Sequence, residues 1–279
     1  MGKKDQHRQD LARLFGAFVH SGDATALCRY IALNSNLPGP RANLELAAAF
    51  SELAREVSEE GNDAIWELAI SMAAVTADEA PVDAPDELVP FCGALAIGAI
   101  ASTSARLYHQ ALARLKALAR DPRWRMREAV AMGLQQLLEK SPQQTIEQLA
   151  SWVGGGDFLE MRAAAAAVAD PAALKHAETA LSALELHRAI VQRLLETSER
   201  RSDDFRILRK ALGYTLSVVV QAVPDPGFGF MTGLIETRDP DLAWIVKQNL
   251  QKNRMLKNFP VQVEAARRLL EQGREAPPG

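Results

Sequence analysis

Four stretches of the 279-residue sequence superpose without gaps: 121–134, 156–169, 203–216 and 241–253. Six positions into each stands a cation, Arg127, Arg162, Arg209 or Lys247, directly preceded by an apolar residue, Met126, Met161, Leu208 or Val246. Apolar or small residues continue behind the cation at helical period, as in Val130, Gly133, Leu134 and Leu137 of the first copy. Between the copies lie further amphipathic stretches at 105–119, 145–153, 172–197 and 229–237, so each repeat reads as a pair of helices. A pair this short cannot cover its own apolar stripes. Successive pairs must stack and share one core, which predicts an all-α protein, an α-solenoid of antiparallel helix pairs.

Composition agrees and excludes the alternatives. Ala occurs 47 times and Leu 35 times, against 17 Gly and 14 Pro, too few turn formers for many short strands. A hydrophobic fraction of 48% is enough to build a core, so a disordered chain is excluded as well. Asp121-Pro122, Ser141-Pro142, Asp170-Pro171 and Asp239-Pro240 each place a capping oxygen before a proline at a first helical position. Ser141 with Gln144 and Asp157 with Glu160 fit capping boxes. The alanine run 163–167 lets neighbouring axes approach to about 8–10 Å. Residues 154–156 and 224–229 read as interhelix loops, with Phe228 and Phe230 packing. Residues 88–105 carry no charge, but Pro90, two glycines and a Ser-Thr-Ser run make them a buried helix, and no membrane partner is expected.

The run Asp121-Pro122, Met126-Arg127-Glu128-Ala129-Val130-Ala131 and Gly133-Leu134, with a helix before it, resembles a HEAT repeat. The resemblance covers about 102–272 and is best over 121–138. It implies a curved superhelix whose second helices line a concave face, and an arginine that pairs with the aspartate of an adjoining turn. The expected division is a helical region of degenerate repeats or a cap over 1–101, repeats over 102–272 and a tail over 273–279, in one continuous domain.

Charge is uneven. Residues 1–100 hold 7 Lys+Arg against 15 Asp+Glu, and the rest hold 25 against 20. A cation ladder of Arg127, Arg162, Arg209 and Lys247 either ties repeats together or follows a phosphate backbone. The segment 243–263 contains Lys247, Lys252, Arg254 and Lys257 with no acid, beside Trp244. Trp244 occupies the same column as Trp124, three residues before the cation; an aromatic there either packs at a turn or stacks on a ligand. Arg123 and Arg206 complete the candidate surface. The expected activity is binding of another protein on the concave face, without a catalytic step. If Arg123, Arg127, Arg206, Lys247, Lys252 and Arg254 converged on one groove free of carboxylates, nucleic acid would gain as the partner.

The C-terminal segment with Trp244, Lys247, Asn249, Lys252 and Asn253 is also similar to the alkylpurine DNA glycosylases, a HEAT-like branch. That resemblance implies DNA binding or repair, and a tryptophan and an aspartate close together on a mid-chain helix. Here Trp152 and Asp157 are separated by Gly154-Gly155-Gly156, so no catalytic residue is assigned; Glu128 and Asp204 stand as carboxylates by location alone. The histidines His7, His20, His109, His176 and His187 have no metal-ligand spacing and read as surface residues, so neither metal nor cofactor is expected. Two cysteines, Cys28 and Cys92, and an N-terminal stretch without an apolar run suggest the cytoplasm.

Overall fold

The computed structural model describes residues 3–275. They form fifteen α-helices with short 3-10 turns and, among the described residues, no strand. The chain divides into two compact units, Met1–Ser141 and Pro142–Gly279.

The first unit holds α1 (Lys3–Ser21), α2 (Thr25–Leu33), α3 (Leu44–Glu59), α4 (Ala64–Ala73), α5 (Leu88–Ala101), α6 (Ala105–Leu118) and α7 (Trp124–Lys140). Alternate helices lie side by side, α1 against α3, α3 against α5 and α5 against α7, while α4 and α6 pack on α5. All fourteen residues of α5 are buried, which is where a chargeless helix belongs. Its close neighbours require glycine. A Cβ on Gly98 would overlap the backbone of Gly133 in α7, and one on Gly93 would overlap the end of α4.

The α5–α7 crossing also explains why the units divide at Ser141/Pro142 rather than at 101/102, where composition changes: residues 102–141 fold with the acidic segment before them. Counted by unit, the charges are 15 Lys+Arg against 18 Asp+Glu in the first and 17 against 17 in the second. The asymmetry between the two stretches of sequence is therefore largely neutralised within one unit.

The second unit holds α8 (Pro142–Gly155), α9 (Phe158–Val168), α10 (Ala177–Glu196), α11 (Asp203–Ala222), α12 (Pro224–Glu236), α13 (Pro240–Leu250), α14 (Asn253–Asn258) and α15 (Pro260–Glu275). Again alternate helices meet, α9 with α11, α11 with α13 and α8 with α10. Residues 159–168 of α9 are all buried, as the small side chains of its alanine run permit. Arg193 of α10 donates to the carbonyls of Val153, Gly154 and Gly156 at 2.6, 2.7 and 3.3 Å, closing the C-terminal end of α8. Within each unit this alternation is consistent with a stack of helical hairpins.

Several local expectations are corrected. Residues 224–229 are not a loop but the first turns of α12, because Pro224 and Pro226 fall where a helix needs no amide donor. Pro142 and Pro240 open α8 and α13, and Asp239 accepts from the amides of Asp241 and Leu242. Asp121 instead accepts from the amide of Arg123, so α7 begins at Trp124. Asp170-Pro171 leads only into a 3-10 turn, Ala173–Lys175. The helix α15 continues through Glu275; the rest of the expected tail lies outside the described residues.

His187 is no surface residue. It is 1% exposed, donates from Nδ1 to the Ala183 carbonyl at 2.8 Å and accepts at Nε2 from the Thr215 hydroxyl at 3.0 Å. Burial pushes its pKa down to about 4. Among the described residues no helix is long and apolar enough to cross a membrane.

Candidate partner-binding surface

The repeat column places its aromatic and cationic side chains differently in the early and the late copies. In the first, Arg123 is 1% exposed. Its guanidinium grips Asp121 through two bonds of 2.9 and 2.7 Å and donates to the carbonyls of Val75, Thr76 and Ala80. Arg127 is buried and donates to the carbonyls of Asp121 and Pro122 at 2.8 and 2.9 Å. Neither is available to a ligand: their donors face carbonyls that would otherwise be left unpaired inside the protein. Arg162, on α9 of the second unit, is likewise buried, at 5% exposure.

Sequence reasoning passed over Arg125. It is buried on α7, bridges Asp83 at 2.7 Å and the fully buried Glu87 at 2.9 Å, and donates to the Gly39 carbonyl at 2.9 Å. Only its place among Arg120, Arg123 and Arg127 hinted at it, because its acids stand about forty residues earlier. Trp124 is 46% exposed and covered on one face by that guanidinium, whose Cζ is 4.3 Å from the ring centre. It lines a cleft of about 1030 Å³ together with His7, Arg41, Phe91 and Glu128. His7 is held between the Tyr30 hydroxyl at 2.9 Å and the Asn43 side-chain amide at 3.2 Å. In this cleft Arg125 is matched by two carboxylates, and the other lining arginine, Arg41, shares the cleft with Glu45 and Glu128.

The last two copies, on α11 and α13, turn their column towards the surface. Arg209 of α11 forms an ion pair with Asp241 at the start of α13, and its Cζ lies 4.4 Å from the ring centre of Trp244. Gly213 makes room for that ring; a Cβ there would stand 3.1 Å from it. Arg200 pairs with both Asp239 and Asp241, and the Asp239 hydrogen bond pushes the Arg200 pKa further up. The carboxylates at the head of α13 are thus already matched. The cations that follow them are not. Trp244 and Lys247 line a cleft of about 640 Å³ with Arg238 from the turn between α12 and α13 and Arg267 of α15, together with Ile235, Leu250 and Leu270. Its one carboxylate is Glu271. Among the described residues no ion pair engages Arg238, Lys247 or Arg267, and all three are exposed.

The remaining sequence candidates separate. Arg206 is exposed and pairs with Asp203 one turn back at 2.7 Å. Lys252, Arg254 and Lys257 belong to α14 and its cap and do not line the cleft. Arg238 and Arg267 were missed because they lie outside the repeat column, Arg238 with a left-handed backbone at φ 56° and Arg267 on the last helix. Trp152 is buried and the Asp157 carboxylate accepts from the amides of Leu159 and Glu160 at 3.0 and 2.9 Å, so the pair serves packing and capping. Glu128 and Asp204 lie in separate units. Among the described residues no three His, Cys, Asp or Glu side chains stand together as a metal site. Comparison with family models, curated proteins and solved structures finds no match to this chain.

Proposed function

We propose that this chain is a non-catalytic, HEAT-like helical repeat protein that binds an anionic macromolecular partner at the cleft beside Trp244 in its second unit. One observation carries the reading. A tryptophan fixed by a guanidinium stands next to three exposed cations, Arg238, Lys247 and Arg267, that no ion pair among the described residues engages. Tryptophan and arginine are the residues that anchor interfaces, and an aromatic already held in place loses little freedom when a partner lands on it. The two free cysteines, Cys28 and Cys92, support a cytoplasmic setting, where thiols stay reduced.

A second reading, DNA binding or repair of the alkylpurine glycosylase type, is favoured by the acid-free run Lys247, Lys252, Arg254 and Lys257. Against it, Arg127 and Arg162 of the first two copies are buried and Arg209 of the third is paired with Asp241, which leaves Lys247 as the column's one exposed cation among the described residues.

Titration of the purified chain with polyglutamate and with duplex DNA, each at several salt concentrations, tests the proposal. Binding of at least one polyanion that weakens as salt rises, and that falls at least tenfold in Lys247→Glu/Arg267→Glu, is the expected result. No binding at low salt, or binding indifferent to these two charges, overturns it.

A further inference from the structure

We infer that the cleft between α13 and α15 receives an acidic amphipathic helix of a protein partner; this rests on the reading above that the cleft is the binding surface. The groove has the shape for it. Trp244, Lys247, Gln248 and Gln251 fall at i, i+3, i+4 and i+7 and so form one stripe along α13. Across from them Arg267, Leu270 and Glu271 form the facing stripe of α15, which packs directly on α13. The furrow between two neighbouring helices is where the side-chain ridge of a third can lie. From Pro240 to Gln251 it is about 16 Å long at 1.5 Å per residue, which matches three turns of a partner helix.

Its chemistry separates a helix from a nucleic-acid backbone. The walls combine apolar surface from Pro240, Ala243, Trp244 and Leu270, backed by the buried Ile235 and Leu250, with rim cations. A phosphate chain would use the cations and leave the apolar surface without a counterpart. A helix with apolar residues at i, i+3, i+4 and i+7 and carboxylates on the flanks answers both features at once. Its side chains fill a volume of about 640 Å³, while its flanking acids reach Arg238, Lys247 and Arg267.

The test uses the full chain and four fluorescent probes: a helical peptide of about twenty residues with that apolar stripe and Glu flanks, a scrambled peptide of the same composition, polyglutamate, and duplex DNA. The amphipathic peptide is expected to bind at least tenfold tighter than its scrambled form and than DNA at equal salt. Lys247→Glu/Arg267→Glu and, separately, Leu270→Ser are each expected to weaken it at least tenfold. Thermal melting of each variant, unchanged from the parent, separates a lost contact from a lost fold; if Leu270→Ser melts early, Gln248→Glu on the neighbouring stripe takes its place, with the same weakening expected. Equal binding of ordered and scrambled peptides, or DNA binding tighter than the amphipathic peptide, overturns the helix while leaving a polyanion-binding surface in place. Failure of all four probes removes that surface as well.

Discussion

Trp124 and Trp244 occupy the same column of the repeat, and each carries a guanidinium over one face, at 4.3 and 4.4 Å. The likeness ends with the source and fate of that guanidinium. Over Trp124 it belongs to the adjacent Arg125, buried among Asp83, Glu87 and the Gly39 carbonyl. Over Trp244 it comes from Arg209 on the preceding α11, about a third exposed and tied to Asp241. In the first unit Arg123 and Arg125 are absorbed in holding residues 75–87 and Gly39, and Arg127 in holding the carbonyls of Asp121 and Pro122. In the second, the column cation Lys247 stays at the surface. A cation's place in a repeat therefore does not decide its use. What decides is whether an acid or an open carbonyl is packed against it, since a desolvated charge must be matched and a solvated one need not be.

The sharpest way to break this comparison is to remove each guanidinium in turn. Arg125→Ala leaves the carboxylate of Glu87 buried without its counter-charge and should cost about 3–5 kcal/mol, read from chemical denaturation. Pairing it with Glu87→Gln should recover much of that loss. The intact network is itself imperfect, because Glu87 Oε1 and Arg125 Nε have no hydrogen-bond partner. A single variant as stable as the parent would mean that the first unit does not depend on this buried pair.

The next effect separates the units by pH. The pKa of His187 is about 4 in the folded second unit against 6.5 when unfolded, so between these values the unfolded chain binds the extra proton. Its contribution is complete above about pH 6.5 and is lost as pH falls towards 4, amounting to roughly 3 kcal/mol. His187→Gln should flatten that part of the stability–pH curve; an unchanged slope would assign the acid sensitivity elsewhere. Smaller again is Ala165→Leu, which overpacks the fully buried alanine run of α9 at a cost of about 1–3 kcal/mol in thermal melting. The same substitution at the exposed Ala265 should be neutral.

Helices and their alternation were legible because apolar periodicity is a local property that burial then enforces. The recurrent column picked out α7, α9, α11 and α13, and the chargeless stretch picked out α5. The use of the arginines was not legible. Arg123 and Arg125 find their partners in 75–87 and at Gly39, and nothing in sequence spacing says which distant carbonyl will be left open. Proline misled for a related reason: at 224 and 226 it is compatible with a loop or with a helix start, and only packing of Gly227 against Val220 decides. Of the candidate cleft, Trp244 and Lys247 could be read from the repeat, whereas Arg238 and Arg267 come from elements outside it and meet them only in the folded unit.

The smallest expected effect is the most informative about the second tryptophan. Arg209→Ala removes an ion pair whose guanidinium is about one-third exposed, so solvent screening limits its cost to about 1 kcal/mol or less, well below that of Arg125→Ala. Asp241 keeps a partner in Arg200, and no buried charge is stranded. The ring of Trp244, however, loses the cation that covers one face, and with it part of what fixes its position over Gly213. Near-parental melting combined with a clear change in tryptophan fluorescence and weaker polyanion binding is the expected pattern. If Arg209→Ala instead destabilised the chain as much as Arg125→Ala, the guanidinium over Trp244 would be as structural as the one over Trp124, and the contrast between the two tryptophans would disappear.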